Sequence, residues 1–369
     1  MITFARLLLS PGQSTLLSGL FETDWDYGRA IHFLSPSAIP QQEALSINAA
    51  AAPGLLVQQG VVSAADVAIS ADWAFQLYNT GTITNRLFID LAANGQVTDG
   101  RHAVTGSSYA DEIVNSGRIE GSVSLGAGHD LLDGRLGLIL GPADGAAGDD
   151  TLLSGAAAET LLGGEGQDWL DGGAGADSLA GGAGANRIFA GSGNDSLTSE
   201  DGDDALSGDA GNDLLHSDRG NDSLSGGDGA DTLIGGDGDD TLAGGAGDDL
   251  LEAGDDRDQV SGGDGNDTIS AWGGGDGLFG DAGDDLLDVI GGAFSLSGGA
   301  GADTLSVWED WVANDVLNGG DGADSLNAGA GDDTLLGGTG ADTMIGGAGD
   351  DVILAGGTSL QDILSLFTL

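Results

Sequence analysis

The sequence predicts an all-β protein in which short parallel strands stack into a solenoid of 18-residue coils. Three observations lead to this prediction. An acidic residue recurs every nine residues, an aliphatic residue follows it two positions later, and glycines, 71 of 369 residues, lie between these pairs. Glycine-rich chains are often disordered because they bury little apolar surface. Here 40% of residues are hydrophobic and the aliphatic residues are periodic, which indicates stacked repeats instead.

The nine-residue repeat keeps one frame over eighteen consecutive copies, whose sixth residues, the anchors, lie at positions 150 to 303. Fifteen of these anchors are Asp, and the other three are Glu159, Asn186 and Phe294. Three extra residues near positions 308–311 shift the frame, and five more copies with Asp anchors follow. A regular copy reads Gly-Gly-x-Gly-x-Asp-x-Leu-x, as at residues 226–234.

The physical chemistry of the repeat explains the stacking. Glycines allow the positive φ angles of tight turns, and the last three residues of each copy form a short strand. Strand side chains alternate between faces, so an anchor and the aliphatic residue two positions later both point inward. Two nonapeptides make one coil, and turns eighteen residues apart then lie about 4.8 Å from one another.

The charge distribution indicates that the repeats need cations. The chain has 60 acidic residues against nine basic ones and a net charge of −51, and most of this charge lies from residue 145 onward. Such a surface repels nucleic acid and anionic lipid, so we expect no nucleic-acid partner. Stacked carboxylates and turn carbonyls are hard oxygen ligands, which suit Ca2+ better than Mg2+ with its strict octahedral geometry. The alternative interpretation is a charged solenoid without metal.

The predicted metal ligands are the Asp anchors of the array. Stacking pairs anchors eighteen residues apart, and fifteen such pairs have Asp at both ends, so we expect about fifteen Ca2+ ions. The turns before Asp258 and Asp276 depart from the consensus. The candidate ligands are Asp150, Asp168, Asp177, Asp195, Asp204, Asp213, Asp222, Asp231, Asp240, Asp249, Asp258, Asp267, Asp276, Asp285, Asp303, Asp315, Asp324, Asp333, Asp342 and Asp351.

The repeat at residues 145–355 resembles the hemolysin-type calcium-binding nonapeptide of RTX (repeats-in-toxin) proteins. The resemblance implies a parallel β-roll, a right-handed β-helix solenoid with Ca2+ in its turns. It also implies export from a bacterial cell by type I secretion machinery. Because inward carboxylates repel one another without metal, we expect the array to fold only when calcium binds.

Three other segments flank the array. Residues 46–144 are predicted to form degenerate β-helix coils, because 79–83 recur at 115–119, two 18-residue coils later, and 126–132 nearly match the repeat. An unrelated small β domain is the alternative. Residues 1–45 are interpreted as a cap over the end of the solenoid or as a partner site. The apolar tail 356–369 resembles the end of a type I secretion signal or forms a terminal cap, and it lacks the longer C-terminal region that the family usually has.

The sequence favours a binding or structural role over catalysis. It lacks Cys, Lys, a His-Glu-x-x-His zinc motif and a Gly-x-Ser-x-Gly nucleophile motif. No apolar stretch approaches the roughly 20 residues of a transmembrane helix. The prediction is a secreted, extracellular, non-enzymatic calcium-binding protein with a structural, adhesive or surface-associated role, through cell-surface or self association.

Two alternatives remain open. One is a small exported effector or toxin whose active part is residues 1–144. The other is a polysaccharide-modifying enzyme built on the β-helix, which would need Arg86, Arg101 and Arg118 to come together on one face. The absence of an enzyme activity is therefore a prediction for the array and stays uncertain for residues 1–144.

Overall fold

The computed structural model describes the strand backbones at positions 30–107, then residues 110–116, 118–308, 312–356 and 363–364. Most of the predicted N-terminal cap and of the predicted C-terminal secretion signal lies outside the described residues. Every regular element in the described part of the chain is a β-strand, which confirms the predicted all-β class. No helix capable of crossing a membrane was found in these residues.

The chain divides into two compact units, Met1–Ile188 and Phe189–Leu369. The strands of the first unit are β1 (Ala30–Leu34), β2 (Leu45–Asn48), β3 (Gly54–Gln59), β4 (Val61–Val62), β5 (Asp66–Ala71), β6 (Ala74–Asn79), β7 (Thr82–Ile83), β8 (Arg86–Leu91), β9 (Gln96–Ser107), β10 (Glu112–Asn115), β11 (Arg118–Ala127), β12 (Leu131–Asp133), β13 (Leu138–Ile139), β14 (Ala143–Ala147), β15 (Thr151–Leu153), β16 (Thr160–Glu165), β17 (Trp169–Asp171) and β18 (Ser178–Ala183). Strand β19 (Arg187–Phe189) contains the boundary.

The second unit continues the same short-strand pattern. Its strands are β20 (Ser196–Thr198), β21 (Ala205–Ala210), β22 (Leu214–His216), β23 (Ser223–Asp228), β24 (Thr232–Asp237), β25 (Thr241–Ala246), β26 (Leu250–Asp255), β27 (Gln259–Asp264), β28 (Thr268–Trp272), β29 (Gly277–Ala282), β30 (Leu286–Ile290), β31 (Ser295–Ala300), β32 (Thr304–Trp308), β33 (Val316–Asp321), β34 (Ser325–Asn327), β35 (Thr334–Thr339), β36 (Thr343–Ile345), β37 (Val352–Leu354) and β38 (Ile363–Leu364).

The first unit is a parallel β-solenoid whose coils vary in length until the regular repeats begin. Each strand pairs in parallel with a strand two or three places later along the chain, and β12 pairs with β15, so the stacking continues past position 145. The coil length is 24 residues between Phe88 and Glu112, 20 between Leu131 and Thr151, and 18 once the regular repeats begin at β15 and β17. The predicted coils at 46–144 are therefore parallel but unequal in length.

The recurrence of residues 79–83 at 115–119 does not mark two 18-residue coils, so that part of the prediction was wrong. Asn115 pairs with Leu91, and Leu91 pairs with Ala71, which gives 44 residues for two coils. The four segment boundaries remain a prediction.

The second unit is a parallel β-solenoid with a regular register. Leu233 of β24 pairs with Leu251 of β26, and Leu224 of β23 pairs with Leu242 of β25, eighteen residues apart in both columns. The three extra residues near 308–311 lengthen one coil to 21 residues, because β31 pairs with β33 at this spacing. The aliphatic residues keep their register beyond it, as the sequence predicted.

The core of each unit is a narrow column of aliphatic side chains. In β24 the burial alternates: Asp231, Leu233 and Gly235 are buried, whereas Thr232 and Ile234 are half-buried. This is the two-residue alternation of a pleated strand. Burial of each Leu contributes roughly 1.5–3 kcal/mol, so the apolar column supplies the main attraction between coils, while the inward Asp column opposes it.

Candidate metal centre

Each anchor uses one carboxylate oxygen to join neighbouring coils. The backbone N–H of Asp213 donates to Oδ1 of Asp231, and the N–H of Asp231 donates to Oδ1 of Asp249, both at 2.8 Å. The same bond recurs along the array down to the N–H of Asp333 and Oδ1 of Asp351. This hydrogen bond fixes the orientation of each carboxylate and leaves its second oxygen directed into the turn.

The second oxygens form a row of buried acceptors without hydrogen-bond partners. A buried, unsatisfied polar atom is destabilising by about 1–3 kcal/mol, and by more when it is charged. Repetition of such an atom from turn to turn therefore indicates a missing positive ligand. The atoms are Oε2 of Glu159 and Oδ2 of Asp130, Asp150, Asp168, Asp213, Asp222, Asp231, Asp240, Asp249, Asp258, Asp267, Asp276, Asp285, Asp303, Asp324 and Asp342.

The electrostatic environment of these carboxyls is unfavourable for their charged form. Burial, together with the charges of neighbouring carboxylates, raises the pKa of Asp240, Asp249 and Asp258 to about 7. Burial likewise raises the pKa of Asp213 and Asp285 to about 6. The backbone N–H bond to Oδ1 lowers each pKa but does not cancel the effect of burial. At neutral pH the row therefore needs a cation to hold its charge.

Glycine opens the space in front of most of the partnerless oxygens. A Cβ placed on Gly226 would fall within 3 Å of both Oδ2 of Asp231 and the carbonyl oxygen of Gly244 in the next coil. The space is therefore bordered by a carboxylate oxygen and a backbone carbonyl oxygen, at the kind of separation that Ca2+ requires from its ligands. The same arrangement occurs at Gly145, Gly163, Gly208, Gly235, Gly244, Gly262, Gly280 and Gly319.

The donor set distinguishes these turns from side-chain metal clusters. Within the described ranges, no group of three or more His, Cys, Asp or Glu side chains is placed to hold a metal ion. Zinc and similar ions depend on such clusters, whereas Ca2+ accepts backbone carbonyls together with a few carboxylates. The residues present therefore fit calcium, with the backbone supplying the ligands that side chains do not.

The structure places the twenty predicted Asp ligands in the expected inward positions. All are buried except Asp351, which is half-buried at the end of the described array. The two predicted gaps are also visible. The amide of Asn186 donates to the carbonyls of Gly182 and Gly184, so these two turn oxygens already accept hydrogen bonds. The ring of Phe294 is buried in an anchor position.

Two features of the site were not predicted from the sequence. Asp130 is a buried anchor, since the N–H of Asp111 donates to its Oδ1 at 2.6 Å and its own N–H donates to Asp150 at 2.7 Å. The near-repeat at 126–132 was the signal for it, but its 20-residue spacing placed it out of frame. Asp303 also stacks on Asp324 across the three extra residues, at 3.0 Å from N to Oδ1.

The three arginines considered for an enzyme site are divided between the two columns of strands. Arg86 lies in β8, in the column of β5 and β10. Arg101 lies in β9 and Arg118 in β11, and these two strands pair with each other in the other column.

Comparison with known protein families gives one result that bears on these turns. The family model described as the RTX calcium-binding nonapeptide repeat matches residues 144–179, 154–188, 180–215, 216–251, 252–287, 313–344 and 329–358. Together these segments cover just over half of the chain. The comparison with curated proteins gave no match. Apart from Asp130 and Asp303, the partnerless carboxylates lie in the matched segments, and the chain belongs to the family of RTX calcium-binding nonapeptide repeat proteins.

Proposed function

We propose that this chain is a secreted calcium-binding protein whose repeat array folds as Ca2+ enters its turns. The observation that carries the proposal is the row of buried carboxylate oxygens without hydrogen-bond partners, most of which face a glycine. The twenty Asp anchors predicted from the sequence, together with Asp130, supply the carboxylates. Turn carbonyls complete the ligand set.

Folding and metal binding are one event in this proposal. The chain carries a net charge of −51, and its anchors are buried next to one another. Each Ca2+ neutralises two negative charges on buried carboxylates, where charge destabilises the fold most. The free energy of calcium binding therefore contributes to the free energy of folding. Millimolar affinity, typical of extracellular calcium modules, is sufficient when many sites act together.

The cellular role in this proposal is structural, adhesive or surface-associated. Family membership supports export through type I secretion machinery, with the chain passing unfolded where calcium is scarce and folding outside. The effector and the polysaccharide-modifying enzyme stay open as alternatives for residues 1–144. The separation of Arg86 from Arg101 and Arg118 into different columns favours the structural role over the enzyme.

The experiment is a calcium titration of the chelator-treated full chain, followed by circular dichroism and calorimetry, with Mg2+ as the control ion. We expect a coil-to-β transition driven by Ca2+ and not by equal Mg2+. A chain that is already β-rich in chelator, with no heat of calcium binding, would contradict the proposal. The expectation of about fifteen ions assumes that every stacked pair of Asp anchors holds one.

A further inference from the structure

We infer that the two rows of turns are unequal, and that one forms a continuous calcium ladder while side chains fill most of the other. The inference rests on the proposed function and concerns the second unit. The pocket position is defined as the residue five before each anchor; before Asp231 it is Gly226, which borders the partnerless oxygen.

The glycine row is the set of turns whose anchors run from Asp213 to Asp342; it begins after Asp195, which stacks on Asp213 but has Ala190 at its pocket position. Its pocket position is glycine without exception: Gly208, Gly226, Gly244, Gly262, Gly280, Gly298, Gly319 and Gly337. At each of them a Cβ would fall within 3 Å of an oxygen of its own anchor carboxylate. The row keeps its stacking through the 21-residue coil, where Asp303 meets Asp324. Seven successive intervals between anchors are therefore open.

The filled row is the set of turns whose anchors run from Asp204 to Asp333. Its pocket positions carry side chains at six places: Ser199, Ser217, Ala253, Ala271, Val289 and Ala328. All six are buried, and five of the six are completely inaccessible to solvent. Their Cβ atoms therefore lie inside the coil, in the space that glycine leaves open in the other row. Between Asp204 and Asp333, among the described pocket positions, Gly235 alone leaves the space open, and the next anchor along, Asp351, has Gly346.

Ser217 shows how a side chain replaces the ion. Its hydroxyl donates to the carbonyl oxygen of Gly235 in the next coil at 2.7 Å. This carbonyl is the counterpart of the Gly244 oxygen that borders the open space in front of Asp231. Ser154 in the first unit makes the same bond to the carbonyl of Gly172, also at 2.7 Å. A hydroxyl proton thus satisfies the oxygen that calcium would otherwise bind.

Alanine and valine at the pocket position exclude a cation because their side chains fill the space. A methyl group offers no ligand, and it occupies the point that a cation needs, next to the anchor oxygen and the facing carbonyl. The intervals at Ala253, Ala271, Val289 and Ala328 are therefore poor calcium sites, although three of their four anchors are Asp. The identity of the pocket residue, rather than the presence of Asp, decides which turns bind the metal.

The test changes pocket residues in both rows of the full chain and counts bound Ca2+ by equilibrium dialysis. The loss variant is Gly226→Ser, Gly244→Ser and Gly262→Ser together, and we expect it to bind about three fewer ions than the parent chain. The gain variant is Ala253→Gly with Ala271→Gly, which extends the opening at Gly235, and we expect about two more ions. The gain variant keeps the inference falsifiable if the loss variant fails to fold.

The outcomes separate this inference from the proposed function. A parent chain with fewer than fifteen ions, together with the expected loss and gain, supports the inference. A parent chain with fifteen ions and no change in the gain variant overturns it, while the calcium-binding proposal stands. A parent chain that binds no calcium overturns both.

Discussion

At the scale of the residue, the two oxygens of each anchor have separate roles. Oδ1 of Asp231 accepts the N–H of Asp213 and holds two coils together, whereas Oδ2 has no partner. An asparagine preserves the first role and removes the second, as Asn186 shows by accepting the N–H of Asp168 while donating to turn carbonyls. Stacking and metal binding can therefore be separated by a single atom.

Asp231→Asn tests this separation. We expect the variant to bind roughly one or two fewer Ca2+ ions and to need more calcium for folding, because the amide donates where the carboxylate would bind the metal. Its β content at saturating calcium should be retained, because the coil-to-coil hydrogen bond survives. The matched control is Asp228→Asn, an exposed residue of the same repeat. Equal effects of the two changes on the calcium midpoint would contradict the assignment.

At the scale of the element, each coil combines an inward aliphatic residue with tight glycine turns. The aliphatic residue holds the coil by packing, and neighbouring positions of the same strand differ sharply in burial. Leu251 in β26 is completely buried, whereas Leu250 beside it is 38% exposed. The turn, in contrast, depends on close approach between backbones, which only glycine permits.

Leu251→Ala and Leu250→Ala compare the two faces of one strand. We expect Leu251→Ala to lower the free energy of unfolding of the calcium-bound protein by about 2–5 kcal/mol, since it leaves a cavity in a narrow core. Leu250→Ala should lower it by less than about 1 kcal/mol, because the residue is at the surface. Urea unfolding at one fixed calcium concentration measures both. Similar losses would show that the apolar column does not carry the stability of the coil.

Gly229→Ala tests the glycine turn. Gly229 has a φ of 139°, and a Cβ there would lie 1.7 Å from the carbonyl oxygen of Gly211 in the preceding coil. We expect this variant to lose much of its β content even at saturating calcium, because the coils cannot stack at their normal distance. The control is Gly291→Ala, whose φ of 70° carries strain of about 1–2 kcal/mol but whose Cβ would meet nothing within 4 Å. Equal circular dichroism spectra for the two variants would contradict the stacking argument.

At the scale of the whole molecule, charge controls folding. The chain has 60 acidic residues against nine arginines, and the most buried acids are the anchors. Protons and Ca2+ are two ways to neutralise the same oxygens. Each stabilises the folded state under different conditions, and they compete for the same carboxylates.

The pH dependence of the metal-free protein follows from the raised pKa values. Burial raises the pKa of Asp240, Asp249 and Asp258 from 3.8 to about 7 in the folded state. A raised folded pKa stabilises the fold fully below the unfolded pKa, and this contribution is lost as pH rises through about 7. We expect the chelated chain to gain β structure between pH 8 and pH 5, as measured by circular dichroism. A chelated chain that is more structured at pH 8 than at pH 5 would contradict this sign.

The amino-acid sequence was sufficient to predict the structural features that each repeat sets by itself. It determined the nonapeptide frame, the 18-residue coil and the register beyond the three extra residues. It also determined that Asp231 and Leu233 both point inward. These features could be predicted because alternation along a strand and glycine turns are properties of neighbouring residues.

Only the tertiary structure decided what lies opposite each group in the next coil. It placed Asp130 against Asp150 at a spacing of 20 residues, Asp303 against Asp324 at 21, and Ser217 against the carbonyl of Gly235. It also showed that one oxygen of each anchor already has a backbone partner. Sequence spacing could not reveal these contacts, because loops of different length can bring the same positions into register, and a metal site depends on distances between coils rather than along the chain.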